Sequence, residues 1–389
     1  MAWSLLEDGT EFMPSNPNTK ASHTATMAGA AWLGAAHLIV DAVCVTSVLR
    51  ASPPGDSIVS SALAFVLGYD LLAFAGQAPL GWMADRLGLR RGAALAGLLC
   101  TAAALLVGRG SAVVLIAGAG NALFHVGAGA MVLTGSRGRA ASAGVFVAPG
   151  ALGLGLGLLL GRKFLTVPLW PWLFAIAAAF AMVLLVARKT PAEPPAINGV
   201  ARPAFRRGEI AGIVALLAVS VAVRSLAGSV GCDACPRGCF LMVALPIAAC
   251  AGKFTGGFLA DRFGWIELST LALLASAPLL AFSGGDLWLA LPGQMIFQMT
   301  MPVTLAAMMR LMPARPGFGF GLLCVALVAG TLPAYLPGGW RPQGLSLFLL
   351  VLGSAAALHL ALRLLLNPRP LPSVPSLAPD PSTFCGDNS

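Results

Sequence analysis

The chain has 389 residues, of which 58% are apolar and only 10% charged, with a mean hydropathy of +0.85 and a formal net charge of +9. Soluble domains carry about a quarter of their residues as charges, so this composition excludes a string of such domains. Apolar runs of roughly 20 residues, the length a helix needs to cross a bilayer, recur from Met27 to Leu366 with short polar breaks.

Residues 1–26 hold acids and no apolar core, and read as a cytoplasmic segment and not a cleaved leader. Helical spans are then predicted at 27–49, 58–80, 91–107, 112–134, 140–161 and 169–187. A Pro-rich, basic break follows, RKTPAEPPAINGVARPAFRRGE at 188–209. Six further spans are predicted at 210–230, 240–260, 266–283, 287–312, 318–336 and 345–366, and a Pro-rich tail at 367–389 is expected to be disordered. The expected fold is an all-α membrane protein with twelve transmembrane helices in two pseudo-symmetric six-helix bundles, 27–187 and 210–366.

Short loops rich in Lys and Arg stay in the cytoplasm. With the N-terminus inside, sixteen cations fall on the cytoplasmic side and six on the other, while Arg224 and Lys253 fall within spans. This places both termini in the cytoplasm of a multi-pass protein, expected in a bacterial inner (plasma) membrane. The bias accounts for the positive charge, so no nucleic-acid partner is read from it.

One phrase occurs twice. AGQAPLGWMADRLGL at 75–89 is answered by AGKFTGGFLADRFGW at 251–265, with Gln77 matched by Lys253. A second echo, GNALFH at 120–125 and GQMIFQ at 293–298, has nearly the same offset. Two matches of this kind indicate internal duplication, the design from which many transporters are built. Gly81 and Gly257 permit close approach of helices. Asp85 and Asp261 can face the positive end of a neighbouring helix, and Arg86 and Arg262 anchor the surface.

LGWMADRLGLRR and GGFLADRFGW resemble the loop signature of the major facilitator superfamily, although the second copy has Trp265 and Ile266 where basic residues usually stand. HLIVD at 37–41, GAGNALFHVGAG at 118–129 and GRAASAGVFVAPGALGLGLG at 138–157 are similar to the fosmidomycin-resistance-type exporters within that superfamily. This second resemblance covers most of the N-terminal half and fades in the C-terminal half. The order Pro149-Gly150 reverses the usual antiporter signature, and the arginine common in the fourth span of drug exporters is absent. What the resemblance implies is alternating access about a midplane site lined by the first, fourth, seventh and tenth spans.

Ionisable groups at mid-bilayer cost several kcal/mol and are rarely present without a use. His37 and Asp41 lie four apart in the first span, Asn121 and His125 four apart in the fourth, so each pair shares a helix face. Gln294 and Gln298 occupy the tenth span and Arg224 the seventh. These seven are the candidate substrate-binding and coupling residues, with acids and histidines in the N-half and permanent cations in the C-half. Asp41 is open to a second reading as a structural ion-pair partner, and His37 to one as a neutral hydrogen-bond donor. Asp70, Lys253 and the loop residues Gly81, Asp85, Arg86, Gly257, Asp261 and Arg262 are assigned to gating or structure. Lys253 is expected in an ion pair, because by helix rise it lies about 12 Å in from its loop.

Three cysteines, Cys232, Cys235 and Cys239, gather in CDACPRGC at 232–239. A structural zinc needs four ligands, so a disulfide is the plainer outcome and the third thiol is unassigned. Without a Gly-rich nucleotide loop the chain has no sign of ATP or another cofactor. No nucleophile with its base and no complete metal set is found, so an enzyme is not expected. The reading is therefore a monomeric, proton-coupled secondary transporter exporting a small organic anion. Its alternatives are proton-coupled uptake of such an anion and, from another class, a passive channel.

Overall fold

The structure, a computed structural model, describes residues 17–52, 58–136, 138–162, 167–189, 205–230, 239–335 and 339–367. The thiols Cys232 and Cys235, residues 190–204 of the central break and residues 368–389 of the tail lie outside the described residues. Within them the chain is helical. The first part runs through α1 Pro17–Ala51, α2 Ile58–Asp70, α3 Gln77–Arg86, α4 Arg90–Val107, α5 Ser111–Gly135, α6 Ala140–Gly161 and α7 Leu169–Lys189. The second comprises α8 Arg207–Val230, α9 Cys239–Phe263, α10 Trp265–Ala281, α11 Leu287–Gln298, α12 Met301–Leu311, α13 Pro316–Tyr335 and α14 Gly344–Leu366. Among the described residues nine helices are long and apolar enough to cross a membrane, and α10 is a shorter apolar helix.

Two of the expected spans are interrupted, each beside a proline. Between α2 and α3 the backbone widens into a π turn over Leu71–Ala75. Pro79 has no N–H to offer the Ala75 carbonyl, which loosens this stretch. The Gln77 side-chain amide donates to the Ala73 carbonyl at 2.6 Å and so serves a carbonyl near the break. Between α11 and α12 the helix is interrupted at Met299 and Thr300, just before Pro302. There the Thr300 and Thr304 hydroxyls donate to the Phe297 and Met301 carbonyls.

In hydrocarbon, helices gain little from apolar burial against each other, so close backbone approach at small residues does much of the holding. Gly81 on α3 meets Gly317 on α13, and Gly321 on α13 meets Gln77 and Ala78. The corresponding crossing brings Gly257 on α9 against Ala140 and Ala141 on α6, and Gly144 on α6 against the Lys253 backbone. At all four glycines a β-carbon would overlap backbone atoms of the facing helix. Elsewhere the packing repeats in the same way: α1 packs on α6 and α7 as α8 does on α13 and α14, and α4 on α5 and α7 as α10 does on α11 and α14. Trp170, Phe174, Leu271 and Trp288 lie exposed on the outer face, where apolar groups meet lipid.

The two repeated aspartates cap these crossings. Asp85 accepts from the Phe318 backbone N–H at 2.9 Å and from Arg90 Nε at 2.8 Å, and Arg90 also reaches the Ala314 carbonyl. Asp261 accepts from the Ala140 and Ala141 N–H groups, both at 2.9 Å, and from Trp265 Nε1 at 3.1 Å. In each case a carboxylate meets the first N–H groups of α13 or α6, the positive end of the helix dipole. Arg310 stacks on the Trp265 ring at 3.9 Å and donates to the Gly138 carbonyl, tightening the second crossing. Asp85→Ala and Asp261→Ala should each cost about 1–2 kcal/mol, the usual worth of a cap. A lowered unfolding midpoint of the purified variants in detergent checks this, and unchanged midpoints would contradict it.

Candidate functional site

His37 and Asp41 on α1 face Asn121 and His125 on α5, and the four side chains form one hydrogen-bonded cluster. His37 Nδ1 lies 3.0 Å from the Phe146 carbonyl oxygen, and His125 Nδ1 lies 2.8 Å from the Asn121 carbonyl oxygen. A carbonyl can only accept, so both Nδ1 atoms carry hydrogen and donate. That leaves the two Nε2 atoms facing each other at 2.8 Å. Two neutral rings of this tautomer would oppose lone pair to lone pair, so the geometry calls for one further proton between them. Asp41 supplies the counter-charge, with Oδ2 at 3.1 Å from His37 Nε2 and Oδ1 at 3.6 Å from His125 Nε2. Asn121 Nδ2 donates to Asp41 Oδ1 at 2.8 Å and fixes the carboxylate. The His37, Asp41 and His125 ligand atoms all lie within 4.8 Å of one another, a space for one small cation. Asp41 is the member most open to solvent, its side chain 17% exposed against 7% and 6% for the histidines.

Neighbouring helices set this geometry. Pro149 interrupts the hydrogen-bond ladder of α6, and Gly150 clears the space beside it: a β-carbon there would overlap the His37 ring. The Phe146 ring lies 4.9 Å from that of His37, and Phe124 is fully buried beside both histidines. Phe320, from α13, closes the other side at 6.4 Å from the His125 ring. Gly150 and Phe320 are the contributors that sequence reasoning missed. Gly150 was visible only as half of a reversed Pro-Gly pair, and nothing in a single sequence links Phe320 to His125.

Opposite stand the cations. Arg224 on α8 is buried, 4% exposed, and donates from Nη1 to the Met301 sulfur at 3.2 Å. Its Nε and Nη2 atoms are buried with no hydrogen-bond partner among the described residues. Lys253 on α9 departs from expectation, since among the described residues no carboxylate lies within ion-pair distance of it. Its ammonium is instead within electrostatic range of Arg224, Asp41 and His125. No hydrogen bond among the described residues joins Gln294 or Gln298 to the histidine cluster, and both are half-buried on α11. Asp70 is half-buried at the end of α2, where the π turn begins. Arg86 and Arg262 lie over the Trp82 and Phe263 rings. At the first crossing, burial pushes the Asp85 carboxyl above its ordinary value, against Phe318 N–H, Arg90 and Gly317 N–H, which favour its charge.

No family model and no curated protein sequence matches the chain. Solved structures do. FucP, a major facilitator superfamily transporter in its outward conformation, superposes with a TM-score of 0.61 at 13% identity, over 88% of this chain and 98% of that one. A variant of the E. coli fucose:proton symporter FucP gives 0.62 at 13% identity over the same shares. The human organic anion transporter MFSD10 (TETRAN) gives 0.62 at 16% identity, over 90% of this chain and 100% of its own. The chain has the fold of the major facilitator transporters.

Gly150→Ala should push the His37 ring away and break the Nε2 to Nε2 contact while leaving the helix formed. Nitrogen-15 spectra of the labelled protein check this: wild type should show a low-field imidazole N–H signal that Gly150→Ala and His125→Gln both lose. Survival of the signal in either variant would contradict the shared proton.

Proposed function

We propose that the chain is a secondary active transporter in which proton movement through the His37–Asp41–Asn121–His125 cluster drives a small organic anion across the membrane by alternating access. The observation that carries this reading is the shared-proton geometry between two histidines beside a half-open carboxylate. A group that exchanges one proton, placed between the first and fourth predicted spans, is the part a gradient-driven carrier needs. Arg224 supports the anionic substrate, because it stays charged throughout any cycle and needs compensation.

The transport motion is read as two six-helix bundles, 27–187 and 210–366, rocking about the glycine crossings, with the 188–209 segment joining them. The matching helix pairs on either side and the matching Asp85 and Asp261 caps support it. So does the fold, whose solved examples include a fucose:proton symporter and an organic anion transporter. The distribution of Lys and Arg supports both termini on the cytoplasmic side, and this reading takes the protein as a monomer in a bacterial inner membrane. Export follows from the resemblance of the N-terminal half to exporters. A second reading, uptake, is favoured by the electrostatic closeness of Lys253 and Arg224 to the cluster. An anion bound beside the cations stabilises a bound proton, and ligands that favour each other travel together.

Vesicles with an imposed pH gradient test both. Wild type should accumulate its anion uphill and lose that accumulation with an uncoupler, and the sign of the effective gradient separates export by exchange from uptake by co-transport. Asp41→Asn should still exchange labelled for unlabelled substrate yet accumulate no more than the uncoupled control. If Asp41→Asn accumulates normally, the coupling proton is not held here. Uphill accumulation that ignores the uncoupler would point to another driving ion, and equilibration without any uphill accumulation would favour a passive channel.

A further inference from the structure

The Arg224 side chain uses one of its three nitrogens. Its Nη1 points to the Met301 sulfur, a weak acceptor, while Nε and Nη2 are buried and unpartnered among the described residues. Those two are the pair whose N–H bonds run parallel along one edge of the guanidinium, the edge that meets two oxygens of one anion at once. Leaving two such donors of a full charge without acceptors inside a protein is costly, and native structures seldom do so without cause. A second cation, Lys253, stands within electrostatic range of Arg224, so like charges have been gathered where separation would relieve them. The charged and titratable groups in range of the pair are Asp41, His125 and Cys250. With one proton on the histidines, Asp41 answers that charge and the cation pair is left uncompensated.

We propose that Arg224 forms the headgroup site for an oxyanion presenting two adjacent oxygens, carboxylate or phosphonate, with its Nε and Nη2 edge as the fork and the charge of Lys253 adding to the positive field there. The site names the recognising chemistry of the substrate and rests on the transporter reading for its purpose. It also gives the exchange of Gln77 for Lys253 a use: at the first crossing the residue serves its own helix, and at the second it adds a charge to the field at the ligand.

The purified full-length protein in lipid nanodiscs, unfolded by heat with graded benzoate, phenylphosphonate or the neutral analogue benzamide, tests the site without any transport. Benzoate or phenylphosphonate should raise the unfolding midpoint by a few degrees, the stronger one identifying the headgroup, and benzamide should not. Arg224→Lys keeps the charge but lacks the fork, and should need about tenfold more anion for the same shift. Arg224→Met, without anion, should melt at or above wild type, because removing a buried charge with two unpartnered donors outweighs one weak bond to the Met301 sulfur. The assignment is overturned if neither anion shifts the midpoint, if benzamide works as well, if Arg224→Lys responds like wild type, or if Arg224→Met melts lower. A chain that binds these anions by this pattern but never accumulates them with a pH gradient keeps the site and loses the transporter reading.

Discussion

A charge in hydrocarbon has no water to fall back on, and the interior of this molecule is organised by that constraint. The cluster at His37 and His125 meets it internally: each ring gives its Nδ1 proton to a backbone carbonyl, the two Nε2 atoms face each other, and Asp41 lies beside both. Asn121 contributes an amide so that the carboxylate has a fixed aim. The same constraint is left open at Arg224, whose Nε and Nη2 donors have no acceptor among the described residues. The histidine cluster is thus internally partnered and Arg224 is not, and that difference is what the proposed anion site rests on.

Around this interior the fold repeats one solution twice. Asp85 with Phe318 and Asp261 with Ala140 and Ala141 are the same cap on the same kind of glycine crossing. The scaffold residues of the repeat remain alike because backbone contact leaves no room for change at Gly81, Gly144, Gly257 or Gly321. Position 77 and its echo 253 are free to differ because their backbones make the crossing while their side chains point elsewhere. Gln77 bonds to its own helix at Ala73, and Lys253 reaches the charges of the cavity. Duplication supplied the frame, and the departures from it supply the polarity.

Much of this was legible in the sequence, for physical reasons that differ by feature. The helices were legible because length and apolarity decide what can cross a bilayer, and the described helices fall on the twelve predicted segments. The interruptions at Leu71–Ala75 and at Met299 and Thr300 were not foreseen, although Pro79 and Pro302 mark them. A proline in a membrane helix is often absorbed, so its presence alone does not say where the ladder opens. Pairing of His37 with Asp41, and of His125 with Asn121, followed from four-residue spacing. The contact between the two histidines did not, since it depends on α1 and α5 packing through Gly150 and Phe146 of α6. Lys253 was expected in an ion pair, and among the described residues no carboxylate lies within ion-pair distance of it: helix rise gives its place along α9, whereas the acids beside it depend on what other helices present.

Phe320 closes the far side of the His125 ring, and it belongs to α13, the helix whose N-terminus Asp85 caps. Its neighbour across the gap, Gly129 on α5, has no side chain because the Phe320 ring occupies that space. The wall beside His125 is therefore carried by a helix that supplies no member of the histidine cluster. Under the proposed rocking motion, any displacement of α13 from α5 would carry the ring off the imidazole and open the gap at Gly129, so that the exposure of His125 would be set by one apolar side chain.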